Sequence, residues 1–253
     1  MSGLMNPAEL DNVARWERDF WWYRGMRAIL FRTLDPYLDG RPILRALEAG
    51  CGTGYFSRLL QTERRWPVIP LDISAKGLRY ARQMGVERPI QGDVCSLPFV
   101  SGCFDLVLSI DVLAHIPRPE EQRAASEMAR VLAPDGLLAV RTAAFDFLRS
   151  RHSEFVLESQ RFTRRRLMDL FTGSGIRVLR CSYANSLLLP VAAAKFRLWE
   201  PLARRRPASG VEAIPRWLDR LLYAALAAEA AWLGRGRDLP AGQSLILIGR
   251  RTG

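Results

Sequence analysis

Several residues of this 253-residue chain have the types and spacing to do chemistry. Glu48 precedes Gly50, Gly52 and Gly54, with Cys51 between the first two. Glycines so placed let a backbone turn sharply and bring bare N–H groups against a ligand. Glu48 can meet a cationic ligand group, or cap N–H groups in the loop. Asp72-Ile73 follow the glycines by about twenty residues, where a carboxylate reaches the two hydroxyls of a ribose. The same aspartate could instead cap a helix. Asp93 and Val94 suit an exocyclic amine and the face of an adenine ring, and Ile110-Asp111 form another apolar–acid pair. His115 and His152 are the two imidazoles, with Glu154 and Glu158 as further bases or binders. His115 reads first as a structural turn residue. His152 reads as the base.

These residues need elements to hold them. Ile43–Leu47 is an apolar run that reads as a strand, and a helical pattern opens at Tyr55. Val68–Leu71 is a second strand, and Ser74 caps a helix running to Met84. A short third strand ends at Gly92-Asp93. The apolar stretch within Cys103–Ile116 predicts a parallel strand covered on both faces. A helix over Glu120–Leu132, a turn at Pro134-Asp135-Gly136 and a strand over Leu137–Arg141 complete five strand–helix alternations. Polar ligating types thus stand at successive strand ends, the edge where open parallel sheets bind ligands.

Upstream, Pro7–Leu34 reads as helical and carries the aromatic cluster Asp19–Gly25. Trp21, Trp22, Tyr23 and Arg24 can form a lid over a ligand, or dock on the core. Downstream, Thr163 caps a helix over Arg164–Phe171, and Ile176–Tyr183 is a sixth strand. Ala184–Ala203 and Ala213–Leu233 predict two Ala- and Leu-rich helices around a solvated link at Arg204–Arg206. Ser244–Gly249 is the last strand, so these helices are an insertion before it.

The formal charge is +11, carried almost entirely by arginine, since Lys76 and Lys195 are the lysines. With so many alanines, this composition suggests coding bias and is discounted as a sign of a nucleic-acid partner. The four cysteines are scattered without metal-ligand spacing, which fits a reduced, cytoplasmic setting. No apolar run is long enough to span a bilayer, although the late helices could touch a membrane surface.

Taken in order, EAGCGTG, PLDIS, QGDV, SIDVLAHI and RVLAPDGLLAV resemble the class I S-adenosylmethionine-dependent methyltransferases over Arg41–Thr142. WWYRGMRAIL and RHSEFVLESQRFTRRRLMDLF resemble a narrower bacterial group, the type 11/12-like methyltransferases. That group shows His-Asp-Glu at His152-Ser153-Glu154, and a second histidine at Glu158. The resemblance implies an α/β, Rossmann-like, doubly wound sheet of seven mostly parallel strands, the last antiparallel. It implies one domain: an N-terminal helical cap (1–40), a cofactor-binding core (41–142) and a substrate side (143–253). It also implies S-adenosyl-L-methionine as cofactor. Glu48 and the glycine loop would hold its methionine part, Asp72 its ribose, and Asp93-Val94 its adenine. The expected acceptor is a small molecule, with oxygen favoured over nitrogen because a base is at hand. The chain is expected as a monomer or homodimer.

Overall fold

The computed structural model describes residues 5–38, 40–203 and 206–252. Seven strands form one sheet in the order β3-β2-β1-β4-β5-β7-β6. They are β1 (Ala46–Ala49), β2 (Val68–Asp72), β3 (Ile90–Gln91), β4 (Phe104–Ile110), β5 (Leu132–Ala143), β6 (Ile176–Ala184) and β7 (Ser244–Arg251). β7 runs antiparallel to both β5 and β6, and the other pairs are parallel. The sheet order reverses between β1 and β4, whose C-terminal ends form a crevice of the kind that binds ligands.

Helices cover both faces. α1 (Pro7–Trp16) and α2 (Trp21–Leu34) precede the sheet, and α3 (Tyr55–Thr62), α4 (Ala75–Gln83) and α5 (Glu121–Val131) connect its parallel strands. α6 (Arg151–Phe155) and α7 (Arg164–Thr172) lie between β5 and β6. α8 (Leu189–Ala194), α9 (Glu200–Ala203) and α10 (Arg216–Gly234) precede β7, and a π-helical turn over Lys195–Trp199 joins α8 to α9. The alternation of β4 divides the core. Val107 enters one cluster with Leu138 and Phe171, while Leu106 and Leu108 enter the other with Met26, Ile29 and Leu226.

The local differences from the sequence reading have physical reasons. The helical stretch Pro7–Leu34 is two helices, because Phe20 takes an extended conformation and the break lets Glu17 turn inward. The C-terminal part of α2 docks on the core, with Met26, Ile29, Leu30 and Leu34 fully buried, while Trp21, Trp22, Tyr23 and Arg24 of its first turn are half-buried. The first strand begins at Ala46 rather than Ile43, since the Asp105 carboxylate holds the amides of Leu44 and Arg45 outside the ladder. Pro134-Asp135-Gly136 is a bulge within β5, where the register jumps from Phe104↔Leu132 to Leu106↔Leu137. β6 runs on to Ala184, so the first late helix starts only at Leu189. Arg204 and Arg205 of the expected link lie outside the described residues.

Candidate active site

The glycine loop between β1 and α3 sits at the crevice. Gly50, Gly52 and Gly54 all have positive φ. At Gly50 a Cβ would come 2.1 Å from Val112, whereas beside Gly52 there is open space within 4 Å. One glycine therefore allows close packing and another leaves a cradle. The amides of Gly50 and Cys51 bond the Leu71 carbonyl, tying the loop to β2.

Three buried or half-buried carboxylates converge on this loop. Glu48 takes a hydrogen bond from the Ser57 hydroxyl, and burial pushes its carboxyl up to about 8. Asp72 accepts from the Gly52 amide and the Ser74 amide, both at 2.7 Å. Burial also raises its carboxyl, against those two bonds. Each oxygen of Asp72 keeps a second lone pair. The third acid, Glu17, comes from just past the end of α1 and was not foreseen. It accepts from the Thr53 hydroxyl at 2.6 Å, and burial raises it to about 7. Among the described residues none of the three makes an ion pair. Arg27 acts on Glu17 and bonds its backbone carbonyl, but buried carboxylates gathered without an ion pair are a ready site for a cation. No spacing marks Glu17 in the sequence, because its place depends on how α1 crosses the sheet.

That crossing is anchored at both ends. On one side Asp11 binds Lys76 and Tyr80 of α4. On the other, the Asn6 side chain donates to the Phe155 carbonyl of α6. α1 thus spans the ligand edge of the sheet. Of the aromatic cluster, Trp22 lies under the Arg141 guanidinium at 5.0 Å. Tyr23 is held among Glu9, Glu17, Asp111 and Arg141, and burial drives its phenol well above the ordinary value. Arg24 is engaged by Asp219 of α10 at 2.5 Å and stacks on Tyr223. Its charge is met within the chain.

At the neighbouring strand ends, Asp111 pairs with the buried Arg141. Ile110 packs partly buried against the second core cluster. Val94 is buried and Ile73 is exposed. The exposed Asp93 accepts from the Cys95 amide at 2.8 Å.

Both histidines lie on the Glu158 side of the crevice. The Glu158 carboxylate acts on each, and the charge of His115 weighs slightly on His152. Burial lowers both imidazoles below the ordinary value. Their hydrogen bonds differ. His152 Nδ1 accepts from the Gly210 amide at 2.9 Å. Neutral His152 therefore carries its proton on Nε2, and its free nitrogen is a donor. That geometry opposes the expectation of His152 as the base. His115 Nδ1 is buried without a hydrogen-bond partner, while the Leu157 carbonyl bears on the same ring and favours its protonated form. Glu154 is exposed, whereas Glu158 is buried and held by Arg161 at 2.5 Å.

Residues 47–140 match a family described as a methyltransferase domain. The chain is 38% identical over 105 residues to a malonyl-acyl-carrier-protein O-methyltransferase of Pectobacterium atrosepticum, covering 40% of this chain and 39% of that one. It is 30% identical over 127 residues to squalene methyltransferase 1 of Botryococcus braunii, covering 46% of this chain and 33% of that one. The chain thus spans less than half the length of these curated relatives. In fold it is similar to an S-adenosylmethionine-dependent methyltransferase from Archaeoglobus fulgidus. The TM-score is 0.57 and the identity 16%, over 94% of this chain and 98% of that one.

Proposed function

Because the chain belongs to the class I S-adenosylmethionine-dependent methyltransferase superfamily, we propose that it methylates an oxygen of a small-molecule acceptor. The residues fit the cofactor: three carboxylates without an ion pair stand about a glycine loop with open space at Gly52. When bound, S-adenosylmethionine supplies a methyl group already activated by its sulfonium. Glu48 and Glu17 ionise against that charge. The spare lone pairs of Asp72 receive the ribose hydroxyls, and Asp93 with Val94 takes the adenine. α1 keeps water from the crevice. These roles are carried by the position of each group at the strand ends.

The oxygen assignment rests on one observation, the unpartnered buried Nδ1 of His115. A hydroxyl acceptor needs a group to take its proton as the methyl arrives, whereas an amine needs only to be neutral. His115 is that base. His152 donates from Nε2 and orients the acceptor. Proximity and alignment supply the larger share of rate, up to roughly 7–11 kcal/mol. The reaction runs on the cytoplasmic side on a small molecule, not on nucleic acid.

The experiment is transfer of an isotope-labelled methyl group into extracts of the producing cells, with products identified by mass spectrometry. A labelled methyl ether or ester supports the proposal. A labelled N-methyl product, or full turnover in His115→Ala, refutes the oxygen reading. No labelled product in any fraction, alongside tight cofactor binding, indicates a binding module without catalysis.

A further inference from the structure

The insertion before β7 presents apolar side chains to solvent in a regular pattern. Leu187, Val191, Leu198, Trp199 and Leu202 range from 58% to 80% exposed. Their spacing keeps them along one side of the helical segment, opposite the buried Ala192 and Glu200. The pattern resumes on α10 with Trp217 and Leu221, 67% and 60% exposed, while Leu226, Ala230 and Leu233 pack inward. Soluble chains scatter single apolar residues over their surfaces, but a contiguous stripe of this size marks a contact surface.

The charge around the stripe decides what it meets. Lys195, Arg197, Arg206, Arg216 and Arg220 are exposed along the same stretch, against the single exposed acid Glu212 among its described residues. Glu200 and Glu229 are buried, and Asp219 is spent on Arg24. A second copy docked by a two-fold axis would set this basic rim against itself. An anionic bilayer instead takes leucines and tryptophans into its interface and arginines at its headgroups. No helix among the described residues is long and apolar enough to cross a membrane, so the segment lies on the surface.

We propose that α8, α9 and the start of α10 form a docking face for an anionic phospholipid leaflet. The face is wired to the candidate site. Buried Glu200 accepts from the Arg151 amide beside His152. The loop after α9 brings Gly210 to His152 and the Ser209 hydroxyl to Glu9 at 3.1 Å. Docking therefore turns the acceptor side of the crevice toward the lipid. Resting on the methyl-transfer reading, the acceptor class is an amphiphile with its oxygen at the headgroup level.

Flotation of the full chain with vesicles tests the docking without any turnover. Binding is expected to vesicles of phosphatidylcholine with phosphatidylglycerol, weakening as salt rises, and to be feeble on phosphatidylcholine alone. Trp emission should shift to the blue on binding. The W199S/L202S variant should lose most binding, and R216Q and R220Q should each lose about fivefold. All these side chains are exposed, so melting curves should stay unchanged. Equal binding to both vesicle types, undiminished binding in the variants, or a solution dimer that W199S/L202S splits overturns the proposal. Docking that persists while no methyl is transferred to any amphiphile leaves the face standing and removes only the acceptor class.

Discussion

Glu17 and Thr53 stand 36 residues apart and share a 2.6 Å hydrogen bond that ties the N-terminal segment to the glycine loop. The contact makes the end of the N-terminal helix part of the wall of the crevice. It also places an acid with a carboxyl near 7 beside one near 8.

The pH dependence of cofactor binding follows. Both carboxyls are raised above 4.5 in the folded chain, so it holds more protons than the unfolded chain between that value and about 8. Stability without ligand should therefore fall as pH rises through this window. A cation favours the ionised acids, so affinity for S-adenosylmethionine should rise with pH over the same span. Calorimetry in two buffers of different ionisation heat should register proton release. Glu48→Gln should weaken binding strongly and, at pH 8, stabilise the unliganded protein by ~1–3 kcal/mol. Binding that is flat with pH and releases no protons would discard the cation-site account.

Asp72 joins two jobs in one carboxylate, holding Gly52 and Ser74 and facing the expected ribose. Asp72→Ala should lose at least tenfold in cofactor affinity, since charged hydrogen bonds are worth about 1.5–3 kcal/mol each. Asp72→Asn keeps an acceptor for one amide and should fall between. Melting curves separate the roles: an affinity loss with little change in melting favours ribose contact, and equal losses in both favour the loop clasp.

The histidines should separate by kinetics. His115→Ala should cut turnover by roughly 10²–10⁴-fold and remove the acid limb of the pH–rate profile. That limb should lie below pH 6.5, because burial lowers this imidazole and the base must be neutral to act. His152→Ala should mainly raise KM. If His152→Ala instead abolishes the limb and His115→Ala does not, the tautomer argument has chosen the wrong ring.

The strand ends were legible because their signals are local. Apolar runs closed by Glu48, Asp72, Asp93 and Asp111 fix a parallel sheet and its ligand edge with no knowledge of distant contacts. Glu17, Arg141 and the contact of Gly210 with His152 were not legible. Each depends on a crossing between remote elements: α1 over the loop, Trp22 onto Arg141, Gly210 back to His152. The break within Pro7–Leu34 is of the same kind, since its apolar periodicity continues while tertiary contacts turn the chain at Phe20. The tautomer of His152 depends on a backbone amide 58 residues away, which no motif records.

Gly25 tests how the N-terminal helices are held. It lies inside α2, where glycine ordinarily costs about 1 kcal/mol relative to alanine. A Cβ there would come 2.4 Å from Cδ1 of Leu226 on α10. The same helix pair is joined by Asp219, which accepts from the Trp21 amide and Arg24. Gly25→Ala should therefore lower the melting temperature despite the better helix former, with overpacking costing about 1–3 kcal/mol. The Leu226 Cβ also stands 2.5 Å away, so only a Leu226→Gly background removes the clash; there the sign should reverse, Gly25→Ala then stabilising the chain. Differential scanning calorimetry of the four proteins measures the coupling. A stabilising Gly25→Ala in the parent chain would show that α2 and α10 do not approach this closely.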